Sequence, residues 1–124
     1  MKIINTKHAP AALGPYSQAV EAGNTLYISG QFPLDPVTMA FVSEDAKEQT
    51  HQCLKNLKVL VEEAGLTLEH VVKCGIYLKD MNDFAAVNEA YGEYFNTHQP
   101  ARFCIEVARL PKDSKIEIDA IAVR

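Results

Sequence analysis

The sequence predicts an α+β fold in which two helices pack on one face of a mixed β-sheet. Three observations carry this. The hydrophobic patterns run in the order strand, strand, helix, strand, helix, strand, strand, which fits a helix layer laid on a sheet. Ala46, Cys53, Leu54, Leu57, Leu60, Val61 and Ala64 recur at three- and four-residue steps, forming one apolar stripe on a helix. Ala101 to Arg109 and Lys115 to Val123 instead alternate at period two, with Ile, Val and Phe at many positions, so both read as half-buried strands.

In chain order, Ile3 and Ile4 form a short edge strand, and His8 to Pro15, broken twice by proline, is a loop leading into Tyr16. Ser17 to Ala22 and Thr25 to Gly30 flank Gly23 and Asn24, a two-residue hairpin signal. Gln31 to Val42, with Pro33 and Pro36, reads as an irregular crossover. Ser43 or Asp45 caps a helix that runs to Ala64 and stops at Gly65. Val71 to Lys79 follows as a strand. Phe84 to Phe95 is the second helix, with Phe84, Val87, Tyr91, Tyr94 and Phe95 along its buried side.

Pro111, Lys112, Asp113 and Ser114 separate the last two strands, so an antiparallel hairpin is the expected connection. With a symmetric loop, Val107 faces Ile118, Ile105 faces Ala120 and Phe103 faces Ala122, giving one wholly apolar face. The opposite face then carries Arg102, Cys104, Glu106, Glu117 and Asp119 and ends in Ile121 and Val123. A mixed surface of that kind suits a subunit interface containing a polar site.

Composition narrows the function. A chain of 124 residues, 48% hydrophobic and 23% charged, is one ordinary domain, residues 1–124, with room for a single core and something to gain from oligomerisation. A net charge of -4 provides no basic field for a polyanion, which disfavours nucleic acid. The N-terminal MKIINTKHAP lacks the apolar core of a signal peptide, and no run approaches the roughly 20 apolar residues of a membrane helix. A cytoplasmic protein with no membrane association is expected. Cys53, Cys74 and Cys104 are odd in number and widely spaced, with no CxxC pair and no His at ligand spacing, so neither a disulfide framework nor a metal site is expected.

Three separated motifs point to a family. PARFCIEVARLPKDSKIEIDAIA at the C-terminal end closely resembles the signature of the RidA/YjgF family, and GPYSQA at Gly14 to Ala19 and ISGQFPLDP at Ile28 to Pro36 resemble its two N-terminal motifs. The similarity runs the length of the chain. It implies a chorismate-mutase-like fold, a barrel-like homotrimer with clefts between subunits, and a deaminase that hydrolyses enamine and imine intermediates released by pyridoxal-phosphate-dependent dehydratases. The substrates implied are small 2-imino acids, 2-aminoacrylate among them; the products are 2-keto acids and ammonia, and no cofactor is required. Family members are also described as metabolite-binding regulators, chaperone-like holdases and RNA-cleaving translation inhibitors, so a non-catalytic carboxylate binder is the alternative.

Taken alone, a strand arginine such as Arg102 is most often a solvated charge, although its planar fork suits a carboxylate. The resemblance assigns Arg102 that grip. Glu117 matches the family carboxylate that orients or activates water, and Tyr16 the tyrosine that lines the cleft. Ser29 and Gly30 match the SGQ strand end, where a glycine lets backbone approach a ligand; Cys104, two residues after Arg102, is expected to line the same cleft and offer its backbone N–H, since no His stands near enough in sequence to activate the thiol. Asn88 shares a helix face with Phe84, Tyr91 and Phe95 as a polar exception, and the family places a similar asparagine near the cleft.

In the symmetric hairpin Glu117 lies opposite Ala108, about 20 Å from Arg102 at 3.3 Å per residue. The two then meet over one substrate only if different subunits contribute them. The sequence departs from the common family pattern at Phe103, where serine is frequent, at Asp119, where a second glutamate is usual, and in a shortened loop at Gln99 to Arg102.

Overall fold

The structure, a computed structural model, describes residues 1–124. Six strands form one mixed sheet: β1 (Lys2–Ile4), β2 (Ala19–Ala22), β3 (Thr25–Gln31), β4 (Val71–Leu78), β5 (Ala101–Glu106) and β6 (Ile116–Val123). Their spatial order is β1-β2-β3-β6-β4-β5, and every neighbouring pair is antiparallel except β4 with β5. Helices α1 (Ala46–Glu63) and α2 (Phe84–Tyr94) pack against one another, and α1 lies on β3 and β6.

The start and stop of α1 follow from its ends. Asp45 is the N-cap and its carboxylate accepts from the Glu48 backbone N–H at 3.0 Å, satisfying a donor the helix itself cannot. At the other end Gly65 takes φ +78°, a left-handed backbone that closes the helix at little steric cost. The predicted stripe is buried throughout: Ala46, Cys53, Leu54, Leu57, Leu60, Val61 and Ala64 all face the sheet or α2. All of them except Ala46 share the main core with Ile116, Ile118, Ala120 and Ala122 of β6 and Cys74, Ile76 and Leu78 of β4.

The C-terminal hairpin does not form. β6 lies between β3 and β4, β5 pairs with β4 in parallel, and β4 separates β5 from β6. The segment between them spans the end of β4, where the Val107 N–H donates to the Leu78 carbonyl at 2.9 Å and the Lys79 N–H to the Lys115 carbonyl at 3.0 Å. A period-two pattern identifies a strand and its faces but not its partner. Crossing β4 gives β6, with its fully buried inner row, a neighbour on each side and leaves β5 at the edge.

The faces change with the partners. β6 alternates as expected, with Ile116, Ile118, Ala120 and Ala122 inward and Glu117, Asp119, Ile121 and Val123 outward. On β5 the expectation is reversed. Arg102 and Cys104 stand beside Cys74 and Ile76 on the helix-covered side, and Cys104 packs against the core. Phe103 stands beside Gly75 on the open side, its ring edge-on to Tyr77 at 5.4 Å, and is exposed, as is Ile105. An edge strand lies beyond full helix cover, so its inner positions tolerate polar residues that a central strand could not bury.

Candidate functional site

The GPYSQA segment is anchored by a buried amide. Gln18, 4% exposed, accepts from the Thr6 N–H at 2.7 Å and donates to the carbonyls of Thr6, Ala9 and Pro10 at 3.0, 3.3 and 2.9 Å. Ser29 donates its hydroxyl to the Ser17 carbonyl at 2.6 Å, tying the same segment to β3. Tyr16 is thereby held over the end of β3, with its phenol oxygen accepting from the Leu13 N–H at 3.2 Å.

β3 breaks register against β6 between Ile28 and Gln31, and an irregularity of this kind re-aims side chains at a sheet margin. Ser29 and Gly30 lie in it. The Glu117 carboxylate packs directly on Gly30: a Cβ there would sit 1.7 Å from Glu117 Oε2 and 2.7 Å from Cδ. Gly30 is therefore demanded by the carboxylate. Gly30→Ala is expected to lower activity at least about tenfold while folding is retained, because Glu117 must swing away from its seat; thermal denaturation beside an activity assay checks both halves of that statement.

Tyr16, Ser29, Gly30 and Glu117 share a cleft of about 440 Å³, completed by Leu13, Phe32 and Pro111. Glu117 is half-buried. Burial, and then the neighbouring Asp119 carboxylate, push its pKa above the usual glutamate value. A desolvated carboxylate with heightened proton affinity in a cleft is suited to taking and returning a proton. Asp119 itself accepts from the Tyr77 hydroxyl at 3.2 Å.

Arg102 is elsewhere. Its guanidinium carbon lies 4.8 Å from the ring centroid of Tyr91 and 5.8 Å from that of Phe84. Phe84, Asn88 and Tyr91 are spaced four and three residues apart on α2, so Asn88 shares the helix face that Arg102 covers. Cys104 is the next inward residue on β5; burial raises its thiol pKa and the Arg102 charge opposes that rise. The chain thus holds two groups: Tyr16, Ser29, Gly30 and Glu117 in the cleft, and Arg102, Cys104 and Asn88 at the β5 edge.

The reason they stay apart differs from the one the hairpin gave. Glu117 stands opposite Tyr77, and Arg102 beside Cys74. Two strand spacings and three residues separate them, about 10 Å in each direction, and they project from opposite faces of the sheet. One chain cannot bring both onto one small molecule.

Sequence reading missed the buried amides that hold the cleft. Besides Gln18, Asn56 donates to the carbonyls of Phe32 and Leu34, both at 3.0 Å, and Gln49 accepts from the Lys115 N–H at 3.0 Å just before β6. Their signal was present: Gln49 and Asn56 interrupt the buried face of α1, and a buried amide must have partners.

No helix is long and apolar enough to cross a membrane. A single mixed sheet under two helices, with a carboxylate-bearing cleft on one side and an arginine at the edge on the other, defines a small α+β protein with two separate polar groups. The chain belongs to the RidA/YjgF family: the family model described as Endoribonuclease L-PSP matches residues 6–124. It is 54% identical to the 2-iminobutanoate/2-iminopropanoate deaminase of Salmonella typhimurium, over 99% of this chain and 98% of that protein. It is also 54% identical to a RutC family protein of Pyrococcus horikoshii, again over 99% and 98%. The crystal structure of Escherichia coli TdcF with bound serine superposes with a TM-score of 0.95 at 45% identity, covering 100% of this chain and 99% of that one.

Proposed function

We propose that this protein is a 2-iminobutanoate/2-iminopropanoate deaminase that hydrolyses the enamine and imine products of pyridoxal-phosphate-dependent dehydratases, 2-aminoacrylate included. It works in a homotrimer whose sites lie between subunits. The observation that carries this reading is the half-buried Glu117 carboxylate, raised in pKa and seated on Gly30 in a cleft with Tyr16. The similarity to the Salmonella typhimurium deaminase supports the reaction class.

The chemistry asks little. Arg102 of one subunit grips the substrate carboxylate through its fork, helped by the backbone N–H of Cys104. Glu117 of the neighbour takes a proton from water as the water oxygen bonds to the imine carbon. Glu117 returns that proton to the nitrogen, then takes the proton of the new hydroxyl and passes it to the same nitrogen as the C–N bond breaks and the C=O bond forms, so that ammonia leaves and a 2-keto acid remains. Tyr16, at the same cleft, orients the water or the leaving nitrogen. Fixing the carboxylate and placing one acid-base group at about 10²- to 10⁴-fold is enough for a bond that already hydrolyses in water.

A threonine dehydratase reaction followed through 2-ketobutyrate at mildly alkaline pH, where uncatalysed hydrolysis is slower, tests this. Wild type should speed 2-ketobutyrate formation. Arg102→Ala should lose about 10²-fold or more of that effect, as expected for removing a bidentate charge-assisted contact. No acceleration by wild type would sink the proposal, and equal acceleration by both would remove Arg102 from the site. The serine bound in the TdcF structure favours one second reading, a sensor of small carboxylates that binds without turnover.

A further inference from the structure

We propose that Phe84 and Tyr91 are positioning residues for Arg102, holding the guanidinium by its flat face so that its edge stands ready for a carboxylate; this deepens the proposed function and rests on it. Arg102 is exposed on a strand with no neighbour on its outer side. None of the chain's four ion pairs includes it. The guanidinium nevertheless lies over two rings, at 4.8 Å from the Tyr91 centroid and 5.8 Å from that of Phe84.

The distinction matters for binding. A carboxylate counter-ion inside the chain would occupy the N–H fork and have to be displaced. An aromatic ring attracts the cation through its π face and leaves the in-plane donors free. Without the rings, a long side chain at a sheet edge would be mobile, and each binding event would have to order it. Such ordering weakens association by about two- to tenfold.

The support is itself rigid. Tyr91 is 8% exposed, belongs to the main core, and packs its ring against Phe95 at 4.9 Å. Its buried hydroxyl has only the Cys74 thiol beside it and no oxygen or nitrogen partner, and a poorly paired buried group of this kind costs stability rather than adding to it. The ring, not the hydroxyl, is what the arginine uses. Phe84 is half-buried at the start of α2, one helical turn before Asn88.

The test pairs calorimetric titration of the full chain with 2-ketobutyrate and NMR of the Arg102 Nε–H group. Phe84→Leu and Tyr91→Leu should each weaken 2-ketobutyrate binding about fivefold, while Tyr91→Phe should restore the wild-type value. In an Arg102→Ala background the same leucine variants should cause no further loss. The Arg102 Nε–H resonance, displaced by ring currents in wild type, should return toward its solvent position in both leucine variants. Phe84→Leu, at a half-buried site, keeps the test alive if Tyr91→Leu fails to fold.

Unchanged affinity in the leucine variants, or an equal loss with Arg102 absent, overturns the positioning role. So does a wild-type Arg102 resonance already at its solvent position. A displaced resonance in a wild-type protein with no affinity for 2-ketobutyrate supports the aromatic seat but sinks the carboxylate reading of the site.

Discussion

Co-assembling Arg102→Ala and Glu117→Ala subunits is expected to restore imine hydrolysis that neither variant shows alone. The expectation comes from placement: Arg102 and Glu117 project from opposite faces of the sheet, with β4 between their strands. A site that needs both must draw them from two chains. In a cyclic trimer each site would join the arginine of one subunit to the glutamate of the next. Random mixing of equal amounts then makes about a quarter of the sites intact. Against parents reduced about 10²-fold or more, a recovery to roughly one quarter of wild type is a large signal. Coexpressed, co-purified mixtures that stay at the parental level would rule out the shared site, and size-exclusion chromatography with light scattering supplies the oligomeric state on the same samples.

Glu117→Gln should separate binding from chemistry. Glutamine keeps the shape that rests on Gly30 but cannot cycle a proton, so turnover should fall about 10²- to 10⁴-fold while 2-ketobutyrate binding is retained. The wild-type pH profile carries a second signature. Burial and the Asp119 charge raise the Glu117 pKa in the folded protein, and the ionised form is the one that accepts the proton from water. Activity should therefore decline as pH falls through a pKa above the ordinary glutamate value, and the residual activity of Glu117→Gln should lack that limb. Full turnover in the glutamine variant would remove Glu117 as the acid-base group and leave the sensor reading in possession of the cleft.

Much of the fold was legible because local rules agreed with the tertiary packing. The α1 stripe, its Asp45 cap and its Gly65 stop, the Gly23-Asn24 turn between β2 and β3, and the inward row Ile116, Ile118, Ala120 and Ala122 all appear where the residues place them. Each is set within one or two turns of chain. The motifs set Tyr16, Ser29, Gly30 and Glu117 in one site with Arg102, Cys104 and Asn88; the first four line one cleft, and the other three are not part of it.

Strand order was not legible. Period two at Ala101 to Arg109 marks a strand and leaves its partner open, and the nearest strand in sequence was the wrong choice. β4 intervenes, turns Arg102 and Cys104 to the helix side, and sends Phe103 outward. The elements and the chemical groups they carry follow from local chain chemistry, since capping, periodicity and turn geometry act over a few residues. Which groups stand together, the seating of Glu117 on Gly30 and the placement of Arg102 on aromatic faces depend on the assembled fold. Those contacts join residues distant in the chain, and their geometry exists only once the sheet has chosen its order.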